Sequence, residues 1–399
     1  MLSTKPHFFA LLMSATLLSA SALAITPSDK AKSLAQNNII IDSHIDVPYR
    51  LEEKWVDVTE ATEGGDFDYP RAKQGGLNAP FMSIYIPASL DNSSAATKLA
   101  DKLIDYVEAI VGRAPNKFAV AHSTKDVEQQ FKQGLISLPL GMENGSPIQG
   151  DLANLQHFYE RGIRYITLAH SQANHISDSS YDLRRKWKGL SPFGKELVKE
   201  MNNLGIMIDI SHVSDAAFYQ AIEISQTPVI ASHSSLRAFT PEFERNMDDE
   251  MIKALGENGG VIQINFGSTF VTKQANVWSY KRGKAQKEVG EKFGTDSEEF
   301  KNFRANYSKA NPLPYADLDS VLDHIDHVVE LIGIDHVGIG SDYDGVGDSL
   351  PTDLKDVSTY PNLIQGLLNR GYSESDIVKI LSGNFMRVWK ANEAYALEH

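Results

Sequence analysis

IIIDSHID, residues 39–46, sets three consecutive isoleucines against Asp42, His44 and Asp46. A short run that is apolar on both faces reads as a strand buried within a parallel sheet. Its polar end is what a core would otherwise have to satisfy. The same pattern returns in FMSIYIP (81–87), LISLPLGMENG (135–145), IRYITLAHS (163–171), IMIDISHVS (206–214), PVIASHSS (228–235), GGVIQINF (259–266) and HVGIGSDYDG (336–345). Between these runs lie segments of helical period: LANLQHFYERG, PFGKELVKEMNNLG, DAAFYQAIEISQ, DDEMIKALGENG and LDSVLDHIDHVVELIG. Eight buried strands alternating with helices predict an α/β fold, a (β/α)8 TIM-type barrel. A doubly wound open sheet is the competing architecture.

Two stretches break the repeat. Residues 52–79 are rich in glycine and acids, and residues 267–316 are polar, lysine-rich and helical in pattern. Both are expected to be polar insertions, in the loops after the first and seventh strands of a single (β/α)8 domain spanning 25–399. Residues 352–395 read as helices that close the barrel.

At the start of the chain, Lys5 precedes the apolar run FFALLMSATLL and a small-residue end at Ala22-Leu23-Ala24. Residues 1–24 are therefore expected to be a cleaved signal peptide, leaving an exported protein, periplasmic or secreted, with no membrane anchor in its mature form. The chain has no cysteine, which removes disulfides, thiolate metal sites and cysteine nucleophiles. Its formal charge is -14, without long acidic runs, and this balance argues against nucleic acid as a partner. No Gly-x-Ser-x-Gly elbow supports serine catalysis, and no phosphate-binding glycine pattern stands out.

In such a barrel the chemistry gathers at the C-terminal ends of the strands. The strand ends here carry His44, Asp46, Glu143, His170, His212, His233 and Asp342. His44 and Asp46 lie two residues apart, so strand alternation sends both to one side, where they can grip one cation. His212 and His233 recur in an apolar-apolar-Ser-His setting one αβ unit apart, and paired imidazoles suit zinc. Glu143 could bridge the two pairs. An uncoordinated Asp342 could move a proton, and His170 could donate to the oxygen of a reacting carbonyl. His324 and His327, three residues apart on a predicted helix, read as packed or solvated instead. His122, His157 and His336 are likewise left out of the site.

HID, GMENG, YITLAHSQAN, DISH, ASHSS, ERNMDDE and GIGSDYDG, in this order, resemble the motifs of the membrane (renal) dipeptidase family of binuclear zinc peptidases, over about residues 33–392. The resemblance implies an amidohydrolase-like barrel with two Zn2+ per chain, one held by His44, Asp46 and Glu143, the other by Glu143, His212 and His233. It further implies Asp342 as acid/base and His170 as a substrate contact that stabilises the carbonyl oxygen. Arg245 would hold the substrate's terminal carboxylate, and Asn174 would be an additional substrate contact. The function so implied is a zinc-dependent dipeptidase acting through a metal-bridging hydroxide, which also accepts dipeptides with a C-terminal D-residue. A homodimer is common among such relatives, though no residue pattern locates its interface. Two alternatives stand beside this reading: another metal-dependent barrel hydrolase, acting on a lactam, an N-acyl amino acid or a phosphoester, and a non-catalytic exported binding protein.

Overall fold

The computed structural model describes residues 25–399, so the signal peptide expected over 1–24 lies outside the described residues. Ten strands follow one another: β1 (Ile41–Ile45), β2 (Ala79–Tyr85), β3 (Phe118–Val120), β4 (Ile136–Leu138), β5 (Leu140–Glu143), β6 (Ile163–Thr167), β7 (Met207–Asp209), β8 (Ile230–Ser234), β9 (Val261–Ile264) and β10 (Val337–Ile339). Eight of them form one parallel sheet in the order β1-β2-β5-β6-β7-β8-β9-β10. Its two edges meet at their C-terminal ends, where Asp342 N–H donates to the His44 carbonyl at 3.1 Å and Asp46 N–H to the Tyr343 carbonyl at 2.9 Å. The sheet is thus a (β/α)8 barrel, and the seam that closes it runs through three of the chemically interesting residues.

The helices lie where their periodicity predicts. Leu152–Glu160, Pro192–Leu204, Asp215–Ile224, Asp249–Glu257 and Leu318–Ile332 precede β6 to β10 in turn. Each is opened by an N-cap side chain, from Asp151, Ser191, Ser214, Asp248 and Asp317, that accepts a first-turn N–H. At the N-terminal ends of the strands, Ile41, Phe81, Met207, Ile230 and Val261 pack with Phe385 and Trp389 of the C-terminal helix Asn384–Glu398. This apolar plug closes the bottom of the barrel and leaves the opposite end for chemistry.

The structure divides the stretch LISLPLGMENG, read from sequence as one strand. Pro139 has no N–H to give to a ladder, and its carbonyl instead accepts Met82 N–H at 2.8 Å. Before it, β4 pairs with β3 in a separate two-stranded sheet; after it, β5 enters the barrel. The three residues of β3 are too few to show a period, and sequence reading passed over them.

Residues 267–316, between β9 and the helix Leu318–Ile332, fold into the helices Ser268–Val271, Lys273–Phe293, Glu298–Lys301 and Phe303–Ala310. Residues 52–79 fold back on the seam. Asp66 N–H donates to Asp344 at 2.7 Å, Asp344 N–H returns a bond to Asp66 at 2.8 Å, and Arg50 pairs with Asp344 at 2.9 Å. Among the described residues no helix is long and apolar enough to cross a membrane.

Candidate active site

Register brings the polar residues together. Asp209 of β7 pairs with Ile230 of β8, and His212 and His233 each lie three residues beyond that rung. Their Nε2 atoms meet at 2.9 Å. On the next strands round, Glu143 shares rungs with Tyr85 and Thr167. Its two oxygens serve different neighbours: Oε1 faces His212 Nε2 at 3.1 Å and His233 Nε2 at 3.3 Å, while Oε2 faces His44 Nε2 at 3.4 Å. Asp46 Oδ2 lies 3.4 Å from the same His44 nitrogen. Three overlapping groups, each with ligand atoms within 4.8 Å of one another, result: His44, Glu143 and His233; Glu143, His170 and His212; His44, Asp46 and Asp342.

Hydrogen bonds behind two of the imidazoles fix their tautomers. The Tyr165 hydroxyl donates to the Ser43 carbonyl at 2.9 Å, so it can only accept from His44 Nδ1, also at 2.9 Å. Likewise Ser232 donates to Asp209 at 2.6 Å and lies 2.8 Å from His233 Nδ1. In the neutral form of both rings Nδ1 carries the hydrogen, so Nε2 is the nitrogen left to present a lone pair to the centre. His44 Nε2 and Asp46 Oδ1 are buried without a hydrogen-bond partner. Such orphaned atoms, with imidazole and carboxylate but no thiolate around them, fit one or two late divalent metal ions.

The electrostatics agree. Burial, and then the charges of Arg245 and His170, push His212 well below the ordinary histidine range; burial and His44 do the same to His233. Burial alone would raise Glu143, but the surrounding imidazoles outweigh it and hold the carboxyl well below its usual value. At His44 burial again opposes charge, yet Tyr165, Asp46 and Glu143 together hold the ring well above its usual value. Positive charge is favoured at that point, and a cation supplies it without needing a hydrogen bond at 3.4 Å. Asp342 differs: burial, then the neighbouring Asp46 carboxylate, push it well above the carboxylate range.

Two glycines make room for these side chains. A Cβ on Gly141 would fall on the Tyr165 ring, and one on Gly345 would fall on Asp342 Oδ1 and Asp46 Oδ2. His212 and Asp342 themselves adopt φ of 69° and 63°, in the left-handed region that non-glycine residues rarely occupy. Such strain is characteristic of functional positions.

Above the cluster opens a cavity of about 1010 Å³, on whose wall Asp46, Glu143, His170, His212 and Asp342 appear. Tyr85, Tyr181 and Phe270 form aromatic parts of the wall. His170 is the most open of the four imidazoles, its side chain 19% exposed against 0%, 7% and 1% for His44, His212 and His233. Its Nε2 lies 3.5 Å from Glu143 Oε1, so by distance it belongs to the donor group as well as to the cavity wall.

Arg245 is almost fully buried. It donates to Ser234 Oγ and the His233 carbonyl, both at 2.8 Å, and its guanidinium lies 5.4 Å from the Phe270 ring centre; its Nε has no partner. Asn174 is buried too. Its amide donates to Asn144 and the Leu168 carbonyl and accepts from Ile176 and Ser177 N–H, so its hydrogen bonds are spent within the fold and it is absent from the cavity wall. His324 is packed, as its sequence setting suggests: Nδ1 accepts from Leu236 N–H at 3.0 Å and Nε2 faces the Val271 carbonyl at 2.9 Å.

Sequence reading passed over Asp209, Tyr165 and Asn265. Asp209 accepts from Ser232, Thr167 and the N–H groups of Ser211 and Ser232. Asn265 donates to Asp342 Oδ2 at 2.7 Å. A signal existed for Asp209, a lone acid in the apolar run IMIDI; none marked Tyr165. Asp42, left over in the opening octapeptide, accepts from the N–H groups of His44 and Ser341 and from the Tyr360 hydroxyl, tying β1 across the seam.

Comparisons with known proteins agree with this geometry. The family model for the membrane dipeptidases, peptidase family M19, matches residues 28–399. Two uncharacterized dipeptidases of Schizosaccharomyces pombe are 30% and 31% identical over 385 and 389 residues, covering 92% of this chain and 84% and 83% of theirs. Among solved structures, the probable dipeptidase PvdM from Pseudomonas aeruginosa superposes with a TM-score of 0.80 at 27% identity, over 92% of this chain and 98% of that one. A metallopeptidase from Rhodobacter sphaeroides, liganded with a phosphinate mimic of the dipeptide L-Ala-D-Ala, shares the fold with a TM-score of 0.73 at 24% identity, over 89% and 99%. The chain belongs to the membrane dipeptidase family, and it is a metallopeptidase that hydrolyses the peptide bond of dipeptides.

Proposed function

We propose that this dipeptidase works with two zinc ions, one held by His44, Asp46 and Glu143 and the other by Glu143, His212 and His233. The observation that carries the reading is the division of the Glu143 carboxylate, with one oxygen toward His44 and the other toward His212 and His233. Bound there, the metal pair would supply Lewis acidity to polarise the scissile carbonyl and to activate water at neutral pH.

The chain's own residues divide the remaining work. Asp342 presents Oδ1 to the reaction because Asn265 holds Oδ2. It takes a proton from the attacking water and delivers it to the departing amine, a task suited to a carboxyl whose pKa burial has raised. His170, the most open of the imidazoles, donates to the carbonyl oxygen as charge develops on it. Arg245, buried and set back from the cavity wall with its Nε–H unpartnered, supplies its charge to the substrate's terminal carboxylate. Acceptance of a C-terminal D-residue and export through the leader at 1–24 belong to the same reading.

The test is release of free amino acids from L-Xaa-L-Ala and L-Xaa-D-Ala dipeptides by zinc-loaded and chelator-stripped protein, with metal content measured in parallel. Turnover that vanishes on stripping and returns with two zinc equivalents is expected. Full turnover by metal-free protein would overturn the metal assignment, and L-only turnover the stereochemical one.

A further inference from the structure

The helical segment 267–316 forms one wall of the cavity, and that wall is charged. Arg282, on the helix Lys273–Phe293, and Arg304, on the helix Phe303–Ala310, both line it. Aromatic contacts hold the two helices together: Trp278 meets Tyr307 edge-on at 5.9 Å, and Trp278 Nε1 donates to the Asn311 carbonyl at 2.8 Å. The Arg282 guanidinium lies 4.8 Å from the Trp278 ring centre, so its position is set by stacking.

Neither arginine has an ion-pair partner among the described residues. Nearby lysines on the same segment do find acids, Lys287 with Glu291 and Lys301 with Glu298. The acids of the outer cavity are engaged elsewhere: Asp344 with Arg50, and Asp348 with the Tyr315 hydroxyl. Glu53, also on the wall, is not within ion-pair distance of either arginine. Burial, and then the Arg304 charge, lower Arg282 from its ordinary range. Arg304 is exposed and Arg282 half-buried, so both guanidinium groups are open to a ligand in the cavity.

We propose that Arg282 and Arg304 form an anion-binding subsite that selects dipeptides carrying a side-chain carboxylate in addition to the terminal one. The inference rests on the dipeptidase reading and deepens it. The guanidinium fork matches a carboxylate through paired N–H donors. Arg245, stacked on Phe270, takes the terminal carboxylate, so the separate pair on the insertion meets a group that projects from the peptide. A cavity of about 1010 Å³ is at the upper end of those that hold drug-sized ligands, which leaves room for a long side chain.

The experiment compares L-Ala-L-Glu with L-Ala-L-Gln and L-Glu-L-Ala with L-Gln-L-Ala, pairs that differ in charge but little in shape. The zinc-loaded full chain and its Arg282→Gln/Arg304→Gln variant are assayed for kcat/KM, and binding of the same four dipeptides to chelator-stripped protein is followed by calorimetry. The expected result is a preference of about tenfold for the glutamate member of at least one pair, carried mainly by KM, matched in the calorimetric affinities and falling toward one in the variant. Equal glutamate and glutamine affinities in the unmodified protein, or a preference that survives in the variant, would overturn the subsite. Hydrolysis of L-Ala-L-Ala by the unmodified enzyme reports the dipeptidase reading separately. If that fails, the calorimetric comparison still decides the subsite.

Discussion

The Tyr165 hydroxyl lies 2.9 Å from Nδ1 of His44 and spends its own hydrogen on the Ser43 carbonyl, so His44 is held with Nε2 bare and aimed at Asp46 and Glu143. A phenol on one strand thereby sets the tautomer of an imidazole on another, one proposed to hold zinc. Tyr165→Phe keeps the ring in the space that Gly141 leaves and removes both the acceptor for His44 Nδ1–H and the donor to the Ser43 carbonyl. Zinc affinity is expected to fall by about 10- to 100-fold, read by competition with a chromogenic chelator, and the metal-free protein to lose some thermal stability through the orphaned Ser43 carbonyl and His44 Nδ1–H. Undiminished affinity would show that the tautomer is set elsewhere.

Gly345 touches the site without contributing a functional group. A methyl there would occupy the space of Asp342 Oδ1 and Asp46 Oδ2. Gly345→Ala should therefore lower both zinc occupancy and kcat while the far-ultraviolet circular dichroism stays that of the parent. Wild-type occupancy, measured by plasma emission spectrometry, would show that the two carboxylates can shift freely.

Asp342→Asn keeps the size of the side chain and removes its proton exchange. Because Asp342 stands outside the two proposed ligand sets, two zinc ions should remain bound while kcat falls by about 100- to 10,000-fold, the usual worth of a positioned acid/base. Loss of one metal equivalent instead would identify Asp342 as a ligand.

His324 gives the fold a pH dependence of calculable sign. Burial lowers its folded pKa to about 4, below the unfolded value of 6.5, because Nδ1 must stay free to accept Leu236 N–H. Between these values the unfolded chain binds more protons. Its contribution to stability is therefore complete above about pH 6.5 and lost as pH falls to about 4, on the order of 3 kcal/mol in all. Urea unfolding of metal-free protein at pH 7 and pH 4.5 should show the loss, and His324→Phe should flatten it while lowering stability at pH 7 through the orphaned Leu236 N–H and Val271 carbonyl. An unchanged pH slope in the variant would assign the effect to other groups.

Much of this was legible in the chain itself. The barrel was readable because strands buried on both faces must be apolar throughout, so each run announces itself and its polar end marks the rim. His44, Asp46, Glu143, His212 and His233 could be named for the same reason. Where the signal was local and brief it failed: β3 has three residues, and Pro139 divides a run that hydrophobicity alone reads as continuous. Asn174, named by resemblance alone, makes its side-chain hydrogen bonds within the fold, which no local pattern announces.

The sequence by itself determined the order of strands and helices, the identity of the groups at the barrel mouth and the exclusion of thiol chemistry, because these depend on residue type and period. Only the tertiary structure decided that Tyr165 sets the tautomer of His44, that Asp209 anchors Ser232 behind His233, and that Arg282 and Arg304 share one cavity wall. Those relationships join residues separated by between 22 and 121 positions in the chain. No local pattern encodes them, since register across the sheet and the packing of the inserted helices alone bring such groups within a hydrogen bond or a shared cavity of one another.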